Sequence, residues 1–248
     1  MAYLFANWKM YLNSAQADAL MEDLGQVDLG SVEMAVFPNT LDVRKALGAL
    51  RGNHIAVGAQ NAAWVPQGAY TGATSAQVFA DGGCTHVLVG HSERRHIFGE
   101  NNDDVRKKME AALDAGLTPV LCIGETKEDM EADKTMYRLK KQLTKALEGL
   151  VIPKGKLFVA YEPVWAISGS GNGTPCAPEK AEEVHHAIRE EMKGLVNWDV
   201  PLLYGGSTND ENVVSYLSLE CVDGVLVGRA STTADSLRNL IERMKSVS

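Results

Sequence analysis

The sequence predicts an α/β fold, a single eight-stranded barrel in which parallel strands alternate with helices. Eight short apolar runs alternate along the chain with eight segments of helical periodicity, which is the pattern of parallel strands joined by right-handed crossovers. The chain has 248 residues, close to the roughly 250 residues typical of a (β/α)8 barrel. The runs are apolar throughout, as strands buried on both faces are. A doubly wound open sheet shows the same alternation, so it remains the alternative fold.

The strand candidates are β-branched and apolar runs that each end in a turn. They lie at 3–7, 33–37, 54–60, 86–90, 119–124, 157–162, 201–205 and 224–228. The helix candidates are amphipathic and lie at 15–24, 41–50, 75–82, 103–115, 127–150, 178–193, 210–219 and 234–244. Pro178 and Glu179 favour the first turn of their helix, and polar residues at 207–211 offer caps for the next one. Because no linker divides the chain, we expect residues 1–248 to form one barrel domain.

The composition excludes several classes of protein. Lys and Arg number 24 and Asp and Glu 32, so the formal net charge is −8, and an acidic chain lacks the basic patches that attract nucleic acid or anionic lipid. No apolar run approaches the roughly 18 residues of a transmembrane helix, and the N-terminus resembles no secretory signal. We therefore expect a cytoplasmic protein without nucleic-acid or membrane partners. The cysteines are too dispersed for a zinc site, and we expect free thiols at Cys84, Cys122, Cys176 and Cys221.

Polar side chains follow the predicted strands at the end where an α/β barrel carries its functional loops. Glu162 follows an apolar strand, where burial raises the pKa of a carboxylate and suits it to general-base catalysis. His91 lies near a predicted helix N-terminus, which favours a neutral ring that donates a hydrogen bond to an oxyanion. Lys9 adds a fixed positive charge. Together these groups suit proton transfer beside a carbonyl without a metal or cofactor, although each residue alone is as readily structural.

Two glycine-containing turns indicate a phosphate site. Gly205, Gly206 and Ser207 follow strand seven, and Gly228 and Arg229 follow strand eight. Barrels often bind phosphate at these two loops through backbone N–H groups, and glycine lets the backbone approach the anion closely. Tight turns without a ligand contain the same glycines, so the turns alone leave both interpretations open.

Seven segments of the sequence, taken in order, resemble the triosephosphate isomerase family. They are 7–10 (NWKM), 68–72 (GAYTG), 90–95 (GHSERR), 122–125 (CIGE), 161–166 (YEPVWA), 204–207 (YGGS) and 223–224 (DG). The resemblance implies a TIM barrel that interconverts dihydroxyacetone phosphate and D-glyceraldehyde 3-phosphate through an enediol(ate), without cofactor or metal, in glycolysis and gluconeogenesis. A barrel aldolase or synthase is an alternative, but an aldolase needs a Schiff-base lysine at a strand end, and only Lys9 qualifies.

The resemblance also implies roles for individual residues. Glu162 matches the base that moves a proton between the two carbons beside the substrate carbonyl. His91 matches the neutral electrophile that polarises this carbonyl and moves protons between the substrate oxygens. Lys9 matches the substrate-binding cation, and Asn7 a polar contact to the same oxygens. Glu93 resembles the carboxylate that pairs with Lys9.

Supporting and phosphate-binding positions follow from the same resemblance. Ser92 and Cys122 occupy supporting positions of the site. Glu125 resembles the hydrogen-bond partner of Trp165 in an open lid. The phosphate-binding positions fall on Ser168, Ser207, Gly228 and Arg229.

The sequence departs from the family pattern at three places. Residues 168–177 replace a short Gly-Thr-Gly-Lys stretch with a longer, glycine-rich lid segment, so a catalytically weakened barrel kept for phosphate binding is the alternative function. Arg229 replaces a common glycine, and its side chain either points away or adds a charge contact. Ala73 replaces a glutamate that pairs with an arginine of the partner subunit, so Arg94 loses that partner. We still expect a homodimer in which loop 68–72 docks into the second copy.

Overall fold

The chain folds into a closed barrel of eight parallel strands, and a computed structural model describes residues 2–167 and 175–247. Each strand pairs with its neighbours in chain order, and β1 also pairs with β8. This closure confirms the predicted (β/α)8 barrel and excludes the open sheet. The strands are β1 (Ala2–Asn7), β2 (Val32–Phe37), β3 (Ala56–Ala59), β4 (His86–Val89), β5 (Thr118–Ile123), β6 (Phe158–Tyr161), β7 (Leu202–Tyr204) and β8 (Gly224–Val227).

Helices connect the strands and surround the barrel. Within the described ranges they are α1 (Ser14–Leu24), α2 (Val43–Leu50), α3 (Ala76–Gly82), α4 (Ser92–His96), α5 (Asn102–Asp114), α6 (Lys127–Glu131), α7 (Thr135–Leu147), α8 (Pro178–Lys193), α9 (Val213–Leu217) and α10 (Ala234–Lys245). Short 3-10 helices lie at Arg51–Asn53, Val164–Ala166 and Arg229–Ser231. No helix in these ranges combines the length and apolar character needed to cross a membrane.

Alternate residues of the strands pack into two separate hydrophobic cores. On β1, Leu4 packs with the helices outside the barrel, whereas its neighbour Phe5 fills the barrel interior. Phe5 contacts Phe37 and Phe158 there, with ring centroids 5.8 and 4.8 Å apart. The interior is therefore a packed core rather than a channel, and it supports the loops at the carboxyl ends of the strands.

The prediction of one helix over 127–150 is wrong, because the structure has two helices there. α6 begins at a capping box, in which the side chains of Thr126 and Asp129 each accept the other residue's backbone N–H. It ends where Asp133 adopts a left-handed φ of 54°. The Asp129 carboxylate also accepts hydrogen bonds from Arg138 on α7, at 2.8 and 2.9 Å. The periodicity of the charged side chains continues across this break, so the sequence pattern did not reveal it.

Three further differences from the predicted elements have local causes. Strand β3 starts later than residue 54 because His54 has a φ of 57°, outside the β region. Helix α9 is shorter than the predicted 210–219 because the Asn209 side chain accepts two backbone N–H groups of the following turn, at 3.0 and 3.1 Å. Such a turn competes with helix formation. Helix α4 begins directly after His91, where a helix N-terminus is expected, but no range was predicted for it because its five residues are too few for a periodic pattern.

Candidate active site

The carboxyl ends of the strands surround a cavity of about 460 Å³. Parallel strands bring their C-terminal side chains to one rim of the barrel, so residues far apart in sequence meet there. The predicted supporting residues Ser92 and Glu93 contact this site, whereas Ser168 and the rest of 168–174 in the expected lid lie outside the described residues. The predicted site residues that line the cavity are Asn7, Lys9, His91, Glu162, Ser207, Gly228 and Arg229.

Glu162 and His91 are in direct contact at the cavity wall. Glu162 follows β6 and is only 2% exposed; its Oε1 lies 3.0 Å from His91 Nε2, and its Oε2 accepts the Ser92 backbone N–H at 2.8 Å. Burial alone would raise the pKa of Glu162. The hydrogen bonds that Glu162 accepts from His91 and from the Ser92 N–H, together with the Lys9 charge, outweigh burial, so the pKa of this carboxyl lies below its ordinary value. The expectation of a raised pKa is therefore wrong for this arrangement.

The hydrogen bonds of His91 assign a neutral ring. Its Nδ1 accepts the backbone N–H of Glu93 at 3.3 Å, which requires a lone pair on that nitrogen. The ring proton is therefore assigned to Nε2, which donates to Glu162. The turn that starts α4 thus holds His91 as an N–H donor directed into the cavity.

Lys9 lies in the loop after β1, with its backbone in the left-handed region. Its φ is 49°, a conformation that non-glycine residues adopt only when their surroundings enforce it. The Lys9 N–H donates to Asn7 Oδ1 at 3.1 Å. The Gln60 amide donates to the carbonyl oxygens of Lys9 and Phe37, each at 2.9 Å. The Lys9 ammonium lies 2.7 Å from Glu93 Oε1, so both ends of this residue are fixed.

The segment after Glu162 is held by a buried carboxylate. Glu125 Oε1 accepts hydrogen bonds from Trp165 Nε1 at 2.8 Å and from the Tyr161 hydroxyl at 3.0 Å. Burial raises the pKa of Glu125 more than these two hydrogen bonds lower it. This is the contact between Glu125 and Trp165 that the family resemblance implies for an open lid.

Gly205 leaves the space that the Glu162 side chain occupies. A Cβ at this position would lie 2.9 Å from Glu162 Cγ, closer than van der Waals contact. The Gly205 N–H also donates to the Tyr161 carbonyl at 2.7 Å, which fixes the loop against the end of β6. A larger residue here would displace the catalytic candidate, so glycine is required by close approach rather than by backbone freedom.

The turn after β8 forms the opposite part of the cavity. The Ser231 hydroxyl donates to the carbonyl oxygens of Val227 and Gly228, at 3.1 and 2.7 Å, and closes this turn. A Cβ on Gly228 would lie 3.1 Å from Lys9 Cε, so this turn passes close to the Lys9 side chain. Ser207, Gly228 and Arg229 therefore face the same space as Lys9, as the predicted phosphate site requires.

Cys122 supports the site through its backbone. Its side chain is fully buried in the barrel interior, and burial raises the pKa of the thiol well above its ordinary value, so it is no nucleophile. Its carbonyl accepts from Arg95 Nη2 at 3.2 Å, and Arg95 Nε donates to the Gly90 carbonyl at 2.6 Å. Arg95 therefore joins the ends of β4 and β5. Sequence reasoning missed this role, although Arg95 stands within the 90–95 motif.

A second groove, of about 580 Å³, lies beside loop 68–72 and is lined by both Ala73 and Arg94. Arg94 Nε lies 2.7 Å from Glu100 Oε1, and its guanidinium lies 4.4 Å from the centroid of the Phe98 ring. Arg94 was expected to lose a partner because position 73 carries alanine. Within this chain it pairs with Glu100 instead.

Comparison with known proteins gives a consistent result. The family model described as triosephosphate isomerase matches residues 2–244. A triosephosphate isomerase of Pseudomonas entomophila (strain L48) is 43% identical over 235 residues, 92% of each chain. One from Geotalea uraniireducens (strain Rf4) is 39% identical over 242 residues, 95% of each chain. One from Roseiflexus castenholzii is 39% identical over 245 residues, 96% of this chain and 95% of the relative.

Proposed function

This chain belongs to the triosephosphate isomerase family, and on that premise we propose how its own residues carry out the reaction. The protein is an intramolecular aldose–ketose isomerase of glycolysis, which interconverts dihydroxyacetone phosphate and D-glyceraldehyde 3-phosphate through an enediol(ate). One observation carries the assignment of residues: His91 Nε2 lies 3.0 Å from Glu162 Oε1 at the wall of one cavity. A proton-accepting and a hydrogen-bond-donating group therefore stand side by side.

Glu162 is the base. Its lowered pKa keeps the carboxylate ionised at neutral pH, as removal of a proton requires. The carboxylate takes a proton from the carbon beside the carbonyl; the C–H electron pair forms the new C=C bond, and the carbonyl π electrons move onto oxygen. The same carboxyl group returns the proton to the former carbonyl carbon, where the C=C electron pair forms the new C–H bond. The C=O bond re-forms at the neighbouring carbon as its hydroxyl loses a proton, which His91 passes to the oxygen that had gained the charge. To reach the substrate, Glu162 exchanges its bonds to Ser92 and His91 for contacts with the reacting carbons.

His91 stabilises the oxygen that gains negative charge. Its Nε2–H donates to Glu162 until that carboxylate turns to the substrate, and it then serves the substrate oxygen. The Glu93 N–H occupies Nδ1 throughout, so the donor is already oriented, and oriented donors stabilise a developing oxyanion most effectively. Lys9 adds a positive charge to the same region, and Asn7 fixes the Lys9 backbone. No step needs a cofactor or metal.

The substrate phosphate lies against the two turns after β7 and β8. Ser207, Gly228 and Arg229 line this part of the cavity, and their backbone N–H groups suit phosphate oxygens. Ser168, which lies outside the described residues, belongs to this set on the family resemblance alone. Among the described residues that line the cavity, nothing favours the alternative of a weakened barrel, because Lys9, His91 and Glu162 all face the same space.

We also propose a homodimer in which loop 68–72 docks into a second copy. Large apolar side chains are exposed around this loop and its groove, and exposed apolar patches of this kind mark protein–protein interfaces. Phe98 and Tyr70 line the groove and are 61% and 49% exposed. Burial of such side chains between two copies is the simplest way to remove them from water. Because Arg94 pairs with Glu100 of its own chain, it does not provide an ion pair to the second copy. We therefore expect the association to depend mainly on apolar contact.

For the cellular setting we propose the cytoplasm, with residues 1–248 as one catalytic domain and with neither nucleic acid nor membrane as a partner. The glycolytic reaction of the family supports this proposal. So do the free thiols of all four cysteines, which suit a reducing compartment. Fractionation of cells by centrifugation tests it, because isomerase activity belongs in the cytosolic supernatant. Recovery of the activity with membranes would contradict it.

A coupled assay on glyceraldehyde 3-phosphate with purified wild type and Glu162→Asp tests the assignment of the base. The substitution keeps a carboxylate but withdraws it by one methylene, and about 1 Å of misplacement can cost roughly a hundredfold in rate. We expect wild-type turnover and a fall in kcat of about that size in the variant. Glu179→Asp on the exposed surface of α8 is the matched control. Equal kcat for Glu162→Asp and wild type would refute the role.

A further inference from the structure

Arg229 and Tyr11 meet at the mouth of the substrate cavity. Both residues line it. The Arg229 guanidinium carbon lies 5.4 Å from the centroid of the Tyr11 ring, within the range of a cation–π contact. Tyr11 lies two residues after Lys9, and Arg229 directly follows Gly228, whose turn passes beside the Lys9 side chain. The pair therefore connects the loop after β1 to the turn after β8.

The other charged groups at the cavity do not by themselves provide a net positive charge for an anionic ligand. Lys9 lies 2.7 Å from Glu93, so these two opposite charges offset one another. His91 is a neutral ring by its hydrogen bonds, whereas Glu162 is an ionised carboxylate. Without Arg229 the sum of these groups is one negative charge, which repels an anionic ligand.

Arg229 supplies the positive charge that offsets Glu162. Among the described residues, no carboxylate forms an ion pair with the Arg229 guanidinium. The guanidinium instead forms a cation–π contact with the Tyr11 ring. A guanidinium without a carboxylate partner keeps its five N–H donors for a ligand. Its planar fork matches two phosphate oxygens at once.

We propose that the Arg229 side chain, held over the Tyr11 ring, binds the phosphate dianion of the substrate at the cavity mouth, in addition to the backbone N–H groups of the two turns. This inference rests on the proposed function, since it concerns a ligand of the same cavity. It assigns Arg229 a binding role through its charge and Tyr11 a positioning role through its ring. Inorganic phosphate carries the same chemistry, so it binds at the same place.

The contact with Tyr11 restricts the rotamers of the Arg229 side chain before a ligand binds. Arg229 is exposed, and an unrestrained arginine loses much rotamer entropy when it binds a ligand. A ring beneath the guanidinium restricts the side chain before the ligand arrives and leaves the N–H edges free. Arg229 is then oriented toward the cavity at a smaller entropic cost.

Two variants of Arg229 test the binding role. Arg229→Gln removes the charge, and Arg229→Gly installs the residue common at this position in the family pattern. For both we expect KM for glyceraldehyde 3-phosphate and the inhibition constant of inorganic phosphate to rise about threefold to tenfold, the range of an exposed charge-assisted hydrogen bond. We expect kcat to stay within about twofold, since uniform binding is lost. Arg51→Gln, at the opposite end of the barrel, makes the same change in net charge and leaves both constants unchanged.

The role of Tyr11 is tested by a double-mutant cycle. Tyr11→Phe keeps the ring and is expected to behave as wild type, whereas Tyr11→Leu raises KM and the phosphate inhibition constant part of the way toward Arg229→Gln. In Arg229→Gln the Tyr11→Leu change has no further effect, because the two residues act as one unit. Equal effects of Tyr11→Leu with and without Arg229 would overturn the positioning role.

Ionic strength separates a charge effect from a change in shape. The difference in KM between wild type and Arg229→Gln shrinks as salt is raised from about 0.01 to about 0.5 M, because exposed charges are screened. A difference that is constant with salt, or unchanged KM and inhibition constants in both Arg229 variants, would overturn the binding role.

Failure of this inference is distinguishable from failure of the proposed function. Calorimetric titration of the wild-type protein with inorganic phosphate reports binding without turnover. Isomerase turnover with equal phosphate affinity in wild type and Arg229→Gln refutes the role of Arg229 alone. Absence of turnover in the wild type refutes the assignment of the site, whatever the phosphate affinity.

Discussion

His91 Nε2 lies 3.0 Å from Glu162 Oε1, while Nδ1 of the same ring accepts the Glu93 N–H at 3.3 Å. One ring nitrogen is therefore fixed by the backbone, and the other faces the Glu162 carboxylate. His91 can transfer its hydrogen bond from Glu162 to a substrate oxygen without a change of tautomer. The contact between these two residues thus prepares both for the reaction.

Replacement of His91 by asparagine removes the oriented donor. We expect kcat for glyceraldehyde 3-phosphate to fall about 100- to 1000-fold, the usual effect of losing one oxyanion donor. His186→Asn, on the exposed surface of α8, is the control. A fall in kcat below about tenfold in His91→Asn would mean that another group stabilises the oxyanion.

Gln60 positions Lys9 through the backbone. Gln60→Leu leaves the Lys9 carbonyl without its amide donor, whereas the Phe37 carbonyl keeps the Trp8 N–H, and an unsatisfied buried polar group costs about 1–3 kcal/mol. We expect urea unfolding to report a loss of that size and the coupled assay to report a higher KM. Gln77→Leu on exposed α3 should change neither quantity. Unchanged stability of Gln60→Leu would show that the left-handed Lys9 backbone is held by other contacts.

The lowered pKa of Glu162 makes its contribution to stability depend on pH. Because the folded pKa lies below the ordinary value of 4.5, the stabilisation is fully present above the unfolded pKa and is lost as pH falls through the folded pKa. We expect the difference in unfolding free energy between wild type and Glu162→Gln to become less favourable to wild type from about pH 6 to about pH 3. A difference that moves in favour of the wild type toward low pH would indicate a raised pKa.

The proposed dimer depends on apolar contact around loop 68–72. Phe98→Glu places a charge in that surface, and a buried unpaired charge strongly opposes association. Sedimentation of the wild type is expected to give twice the chain mass of 26.8 kDa, and the variant is expected to dissociate at micromolar concentration. Tyr137→Glu makes a similar change on α7 and should leave the mass unchanged. A monomeric wild type would contradict the proposal.

The order of elements was predictable because buried parallel strands produce apolar runs of a length that helices do not share. Because functional side chains of a parallel barrel lie at the carboxyl ends of its strands, the sequence alone also places Lys9, His91 and Glu162 at one rim. These inferences need only local patterns and one general property of parallel barrels. These patterns did not predict that residues 127–150 form two helices, because a single residue in the left-handed region, Asp133, does not change the periodicity of the sequence.

Other features of the site depend on contacts between distant segments. The pKa of Glu162 was expected to rise from the apolar character of β6, but the Ser92 N–H and His91 come from another strand end and reverse the sign. The contact between Arg229 and Tyr11 also joins two loops at opposite ends of the sequence. The sequence identifies which polar groups lie at the rim. Which of these groups contact one another, and whether a contact raises or lowers a pKa, is known only from the structure.

In the proposed mechanism, Glu162 carries a proton between carbon atoms of the substrate. The direct measurement is deuterium incorporation into the carbon-bound positions of triose phosphate during turnover in D2O, followed by NMR. The wild type is expected to introduce deuterium at a rate comparable with turnover, and Glu162→Gln to do so at least about 100-fold more slowly, as for loss of a general base. Incorporation by Glu162→Gln at the wild-type rate would show that another group transfers the proton.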